Sequence, residues 1–230
     1  MIPPCPKTAS AGAGEPRIVR PMRLYDYAGS ANAYKVRLLL RQLGARYDLV
    51  PIEIFRGEGQ TPEFLKKNPL GQVPVLELDD GRCIAQSNAI LWHLARGTAF
   101  LPADPFAETE VLQWLFFEQY EVEPTLGSAR YWLLTGRAPQ RKDELPRRLE
   151  AGRRALGVMD RALEGRPFFV GGRYSIADVA LYAYTHVAGD TGIDLASYRN
   201  LAAWFARVEE QPGFEPGPAP YSAAAHVPPG

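Results

Sequence analysis

The stretch Asn68-Pro69-Leu70-Gly71-Gln72-Val73-Pro74-Val75-Leu76 holds a contradiction that decides the fold. Apolar alternation makes residues 73–78 a strand that ought to lie inside a sheet, yet Pro74 cannot donate to a ladder and proline is normally kept out of central strands. A cis Val73-Pro74 bond removes the conflict. It turns the Gln72 and Val73 backbone sideways, where an extended ligand can pair with it as an extra strand. Downstream, residues 82–85 return as the second arm of a hairpin that turns at Asp79, Asp80 and Gly81. Gln86-Ser87 then stands at a strand-to-helix junction, with Ser87 as N-cap of a helix carrying Ile90, Leu91 and Leu94 on one side. Such a junction offers an amide, a hydroxyl and helix N–H groups to a carboxylate. The plainer reading of Ser87 is a cap and nothing more.

Upstream, residues 23–27 read as a strand, and Val36, Leu39, Leu40 and Leu43 recur at i, i+3, i+4 and i+7 of a helix closed by Gly44 at C′. Residues 47–54 read as a second strand, which completes a βαβ unit, an irregular stretch and a ββα unit. Between the first strand and helix lies Tyr25-Asp26-Tyr27-Ala28-Gly29-Ser30-Ala31-Asn32-Ala33-Tyr34-Lys35-Val36. Gly29 supplies a flexible turn, and Ser30 or Asn32 stands at the mouth of the helix. There, unpaired N–H groups and a partial positive charge favour an anion. The competing reading of Ser30 is again a simple N-cap.

Beyond Pro102 and Pro105 strand signals vanish. Leu145, Leu149, Gly152, Leu156, Met159 and Leu163 form the clearest helical stripe, with Arg147, Arg148, Arg153, Arg154 and Arg161 mostly off it as a solvated face. Ser175 and Asp178 make an S-x-x-D capping box, with Tyr174 and Val179 placed as a hydrophobic staple. Leu201, Trp204, Phe205 and Val208 define a last helix before Pro212. The expected organisation is an α+β unit over 22–96 and an all-α unit over 103–212.

Composition excludes several functions. Lys and Arg number 26 against 26 Asp and Glu, so bulk attraction to nucleic acid or anionic membrane is not the activity. There are 21 glycines and 21 prolines in 230 residues, about 18% where ~12% is usual. Much of that excess sits at the ends. Residues 1–21, expected to be a disordered N-terminal tail, hold five prolines and no apolar run that could serve as a signal peptide. Residues 213–230 hold five prolines and three glycines, and are expected to be loose or draped over the surface. No run of about 18 apolar residues could span a bilayer, and a cytoplasmic protein is expected. Cys5 and Cys83 form no CxxC, and His93, His186 and His226 are too scattered to ligate a metal. No H-E-x-x-H, G-x-S-x-G, P-loop or G-x-G-x-x-G is present.

With N-P-x-G-x-V-P and Q-S-x-A-I-L in place, residues 22–94 resemble the thioredoxin-like N-terminal domain of cytosolic glutathione S-transferases, and the helical remainder resembles that family's C-terminal domain. Ser30-Ala31-Asn32-Ala33-Tyr34-Lys35-Val36-Arg37 is similar to the S-x-N-x-Y-K-V-R opening of the bacterial serine-type members. The resemblance implies that Ser30 donates to the glutathione thiolate with Asn32 as helper. It places Gln72 and Val73, beside cis Pro74, on the cysteinyl backbone, and Gln86 and Ser87 on the γ-glutamyl end. Position 86 is often Glu in relatives, so Gln86 keeps a hydrogen bond but loses an ionic one. Cys83, inside a strand, is expected to be a buried inert thiol.

The same resemblance implies a homodimer, with glutathione as co-substrate and no metal, acting on a small hydrophobic electrophile. Tyr27, Trp114, Phe117, Tyr120 and Tyr131 are candidates for lining that electrophile pocket, although aromatics at helical spacing are more often core. Alternatives on the same fold are a glutathione-dependent disulfide or hydroperoxide reductase and a non-catalytic binding module.

Overall fold

A computed structural model describes residues 21–227; all but the last residue of the expected N-terminal tail, and Cys5 with it, lie outside them. Strand β1 (Met22–Asp26) is followed by α1 (Ala31–Gln42), β2 (Tyr47–Pro51), a short α2 (Pro62–Leu65), the hairpin β3 (Val75–Glu77) and β4 (Cys83–Ala85), and α3 (Ser87–Ala95). The sheet order is β2-β1-β3-β4, with β1 parallel to β2 and antiparallel to β3. This is the thioredoxin-like arrangement. Leu24, Val36, Leu40, Leu76 and Ile90 are wholly buried between one sheet face and helices α1 and α3. Tyr25, Phe64 and Val75 pack on the opposite face, as period-two alternation requires.

The expected hairpin and first helix are present. At the end of α1, Gly44 takes φ +62°, and the bonds Gly44 N–H to Arg41 O (3.0 Å) and Ala45 N–H to Leu40 O (3.0 Å) form the two rungs of a Schellman cap. Two elements differ from expectation. Strand β2 stops at Pro51 because β1 ends opposite it at Asp26, and the chain turns into 3₁₀ helix at Ile54–Arg56. Strand β3 begins at Val75, one residue after Pro74, so the proline precedes the ladder; the Val73-Pro74 bond is cis.

Helices α4 (Pro105–Phe117), α5 (Ser128–Leu134), α6 (Leu145–Ala162), α7 (Ile176–Thr185) and α8 (Arg199–Glu209) build the second unit. The α6 stripe faces inward through Gly152, Leu156 and Met159. A Cβ on Gly152 would stand 2.4 Å from Leu126 Cδ2, so any larger residue at that crossing has to displace the buried Leu126 side chain. Four of the five arginines are exposed, while Arg148 donates to Pro124 O at 2.8 Å. The Ser175 capping box is formed, and buried Asp178 also accepts from Trp204 Nε1 at 2.9 Å. Unanticipated is a π-helical stretch, Glu118–Gly127, with Pro124 inside it. Pro124 has no N–H to give to an α-helical ladder, and the widened turn re-aims the residues around it. No helix among the described residues is long and apolar enough to cross a membrane.

The C-terminal segment is draped along a defined course, back over the first unit. Tyr34 Oη donates to Glu215 O (2.7 Å), Ala219 N–H to Ala28 O (3.0 Å), Ser222 N–H to Tyr27 Oη (2.7 Å) and Val227 N–H to Thr135 O (3.1 Å). Gly217 lies flat on the Tyr34 ring, where a Cβ would come within 2.6 Å of a ring carbon. Few large apolar groups are needed to order this strap. Its prolines have fixed φ, so less backbone freedom is lost on docking. Tyr27→Phe deprives the Ser222 N–H of its acceptor and should cost about 1–3 kcal/mol. Faster amide exchange across residues 219–226 is the expected readout, and unchanged exchange there would contradict the strap's anchoring.

Candidate active site

Asn32, Asn68, Gln72, Val73, Pro74, Gln86 and Ser87 together line a narrow polar cleft. Every residue expected on the peptide ligand is therefore brought to one place, joined by Asn68. The Asn68 side chain donates from Nδ2 to Gln72 O (2.7 Å) and accepts from Leu70 N–H (3.1 Å), fixing the loop. Gly71 sits at φ +66°, and a Cβ on Gly59 would lie 2.3 Å from its carbonyl oxygen; the loop closes only because both are glycine. Among the described residues nothing pairs with the Val73 N–H or C=O, which leaves that backbone open to an extended partner.

Ser87 is not the cap that its type suggests. Gln86 holds the N-cap place at φ 71° without a side-chain bond, and Ser87 is the first helical residue. The Ser87 hydroxyl donates to Asn32 Oδ1 (3.0 Å) and accepts from Lys35 Nζ (3.4 Å). With its only side-chain hydroxyl engaged elsewhere, the N-terminus of α3 keeps its first N–H groups available to an anion. Gln86 is the one non-glycine residue with positive φ among those described, a local strain placed at the cleft.

Ser30 is the N-cap of α1, accepting from Ala33 N–H at 3.2 Å. A hydroxyl has two lone pairs and one proton, so the cap leaves the proton free to be donated. Ser30 lies in an adjoining cavity of about 370 Å³ that shares Gln72 with the polar cleft. Asn32 does not line this cavity. Its Oδ1 accepts from Lys35 Nζ (2.8 Å) and Ser87, which turns its amide toward the cleft rather than toward Ser30.

Of the aromatics expected in the pocket, Tyr27 and Tyr131 line it. Trp114 and Phe117 instead face the core, with Trp114 4.6 Å from the Phe169 ring, and Tyr120 is 79% exposed. The walls are completed by Phe55, Tyr184 and Tyr221, none of them anticipated. Phe55 stacks on Tyr131 at 5.8 Å and 15°, and Tyr221 closes edge-on at 5.6 Å from Tyr131. Tyr221 comes from the C-terminal strap, so its proline content carried a signal that composition alone reads as looseness. A larger cavity of about 720 Å³ lies between residues 98–104 and Val170–Ser175 and contains none of these groups.

Two family models match the chain: the glutathione S-transferase N-terminal domain over residues 20–96 and the glutathione S-transferase C-terminal domain over residues 111–212. The chain belongs to the glutathione S-transferase family. A glutathione S-transferase from Pseudomonas fluorescens is 46% identical and superposes with a TM-score of 0.83, over 86% of this chain and 98% of that one. Ure2p in complex with S-hexylglutathione is 25% identical, TM-score 0.78, over 85% and 96%. Elongation factor 1-gamma of Carassius auratus is 32% identical over 84% of this chain but only 44% of its own length. The chain thus spans less than half of the curated relatives it matches.

In this glutathione S-transferase the cleft is tied to the helical unit by a pair that sequence spacing did not single out. Lys35 Nζ lies 2.7 Å from Glu118 Oε2, both side chains fully buried. Asn88 Nδ2 donates to the same oxygen at 2.9 Å, while Glu118 Oε1 has no partner among the described residues. The available signal was a charge on the apolar face of α1 and another ending the run Trp114–Phe117. Cys83 is partly rather than fully buried; burial pushes its thiol up, and its Sγ donates to Gly81 O at 3.9 Å. His93 is exposed, and His186 sits with its ring nitrogens 2.5 Å from the Tyr182 and Gly217 carbonyl oxygens. Among the described residues no three His, Cys, Asp or Glu side chains group to hold a metal.

Proposed function

We propose that the protein is a glutathione transferase of the serine type, adding the glutathione thiolate to a small hydrophobic electrophile. The observation that carries this reading is the adjacency of two unlike pockets, one polar and open-backboned, the other aromatic, which share Gln72, with Ser30 in the wall of the aromatic one. Glutathione would lie along the cleft, its cysteinyl amide and carbonyl pairing with Val73 beside Pro74 and Gln72. Its γ-glutamyl carboxylate would meet the N-terminus of α3, with Gln86, Ser87 and the Asn32 amide around it. Ser30 would donate to the thiolate, which the N-terminus of α1 also favours. The sulfur then attacks the electrophilic carbon, the leaving group departs with the bonding pair, and a thioether results.

A homodimer in the cytoplasm fits the same reading. Phe106, Phe116 and Tyr120 are each more than 70% exposed, and an apolar groove of about 470 Å³ runs between Ala89, Trp92, Leu112 and Leu115, a surface suited to a second copy. The likeness to elongation factor 1-gamma favours one other reading, a non-catalytic binding module on this fold. Retention on immobilised glutathione with turnover of a model aryl halide would establish the first reading. Retention with turnover of a mixed disulfide alone would move it to a reductase. A folded protein that neither binds nor turns over would be the module.

A further inference from the structure

We propose that Glu123 sets the charge of the electrophile: the aromatic cavity takes rings that carry a hydroxyl or ammonium donor and turns away rings that carry a carboxylate. The inference rests on that cavity being the electrophile site. Of the residues lining it, Glu123 alone bears a formal charge. Among the described residues its carboxyl has neither a hydrogen bond nor an ion pair, whereas the nearby charges are already engaged. Lys35 is held by Glu118 at 2.7 Å, and Arg148 by the Pro124 carbonyl at 2.8 Å. Glu123 is half-buried, so its carboxyl is free to exchange water for a donor group brought into the cavity that it lines.

The local sequence explains the placement. Glu123 precedes Pro124 in the π-helical stretch, where the widened turn carries it toward the cavity. Burial pushes its carboxyl above the usual range, with the field of Lys35 opposing, the like charge of Glu118 adding to the rise, and Arg148 opposing. The walls around it, Phe55, Tyr131 and Tyr221, would hold a flat ring, and ring faces also favour a cation. A carboxylate placed against Glu123 would meet a like charge at short range, partly screened from bulk water.

The test uses the full chain and three probes free of glutathione: 4-methylbenzylamine, 4-methylbenzyl alcohol and 4-methylbenzoate, titrated by protein-detected NMR at pH 7.5. The wild type should bind the amine about tenfold more tightly than the benzoate, with the alcohol between. Glu123→Gln, which keeps the shape and removes the charge, should bring amine and benzoate to similar affinity. Equal binding of the two by the wild type, a preference unchanged in Glu123→Gln, or no binding of any probe overturns the proposal. Glutathione affinity, measured in a separate titration, reports on the transferase reading alone.

Discussion

Lys35→Met is expected to lower the unfolding free energy by about 3–5 kcal/mol, the largest effect of any single substitution considered. The Lys35 ammonium meets Glu118 Oε2 at 2.7 Å, Asn32 Oδ1 at 2.8 Å and Ser87 Oγ at 3.4 Å. Without it the Glu118 carboxylate is left buried, among the described residues, with Asn88 as its one remaining donor and with Oε1 already unpartnered. The midpoint of thermal unfolding should fall by roughly 6–20 °C, taking about 2–4 °C per kcal/mol at this size. Adding Glu118→Met should restore most of the loss, because removing both ions also removes the cost of keeping them from water. A Lys35→Met midpoint within about 2 °C of wild type, or a double variant no better than the single one, would show that the pair does not hold the two units together. Since Asn32 and Ser87 are oriented by the same ammonium, the single variant should also weaken glutathione binding.

Ser30→Ala should raise the thiol pKa of bound glutathione by about one to two units. A hydrogen bond to a charged group contributes about 1.5–3 kcal/mol, and each pKa unit corresponds to about 1.36. The rate should respond less than the titration. A thiol returned from about 6.5 to about 8.5 loses roughly 25-fold in thiolate at pH 7, but the more basic sulfur regains about six- to tenfold in nucleophilicity at a Brønsted coefficient of ~0.4–0.5. The net loss from ionisation is a few-fold at pH 7, with the pH–rate profile displaced to higher pH by the same one to two units. On the transferase reading, most of the acceleration would then come from holding the electrophile against the sulfur. Loss of the cap adds about 1 kcal/mol of destabilisation. If the thiol pKa does not move, the role passes to Tyr27, which lines the same cavity. Tyr25 is committed to Glu77 at 2.6 Å and does not line that cavity.

Features governed by local backbone preference were legible without coordinates. The cis proline before β3, the glycine closing α1 and the Ser175 box each depend on a few neighbouring residues, and each is present. The polar cleft was legible too, since its members sit at strand ends and helix starts whose order the hydrophobic pattern already dictates. Ser87 shows the limit: its residue type suits a cap, but Lys35 and Asn32 across the fold claim its hydroxyl. Trp114 and Phe117 show another, because the same periodicity describes a ring turned to the core and one turned to a cavity.

What the sequence by itself determined is the layered architecture and the polar half of the site, since both follow from φ/ψ preference, capping and periodicity within short windows. The tertiary structure decided which aromatics line the adjoining cavity: of the five candidates only Tyr27 and Tyr131 do, and Phe55, Tyr184 and Tyr221 complete it. Phe55, Tyr131 and Tyr184 come from distant parts of the chain, Phe55 stacking directly on Tyr131, and Tyr221 joins them because the strap docks on Tyr27 and Tyr34. Composition measures how much freedom a proline-rich segment would lose on ordering; only the folded surface determines whether there are partners to offset that loss.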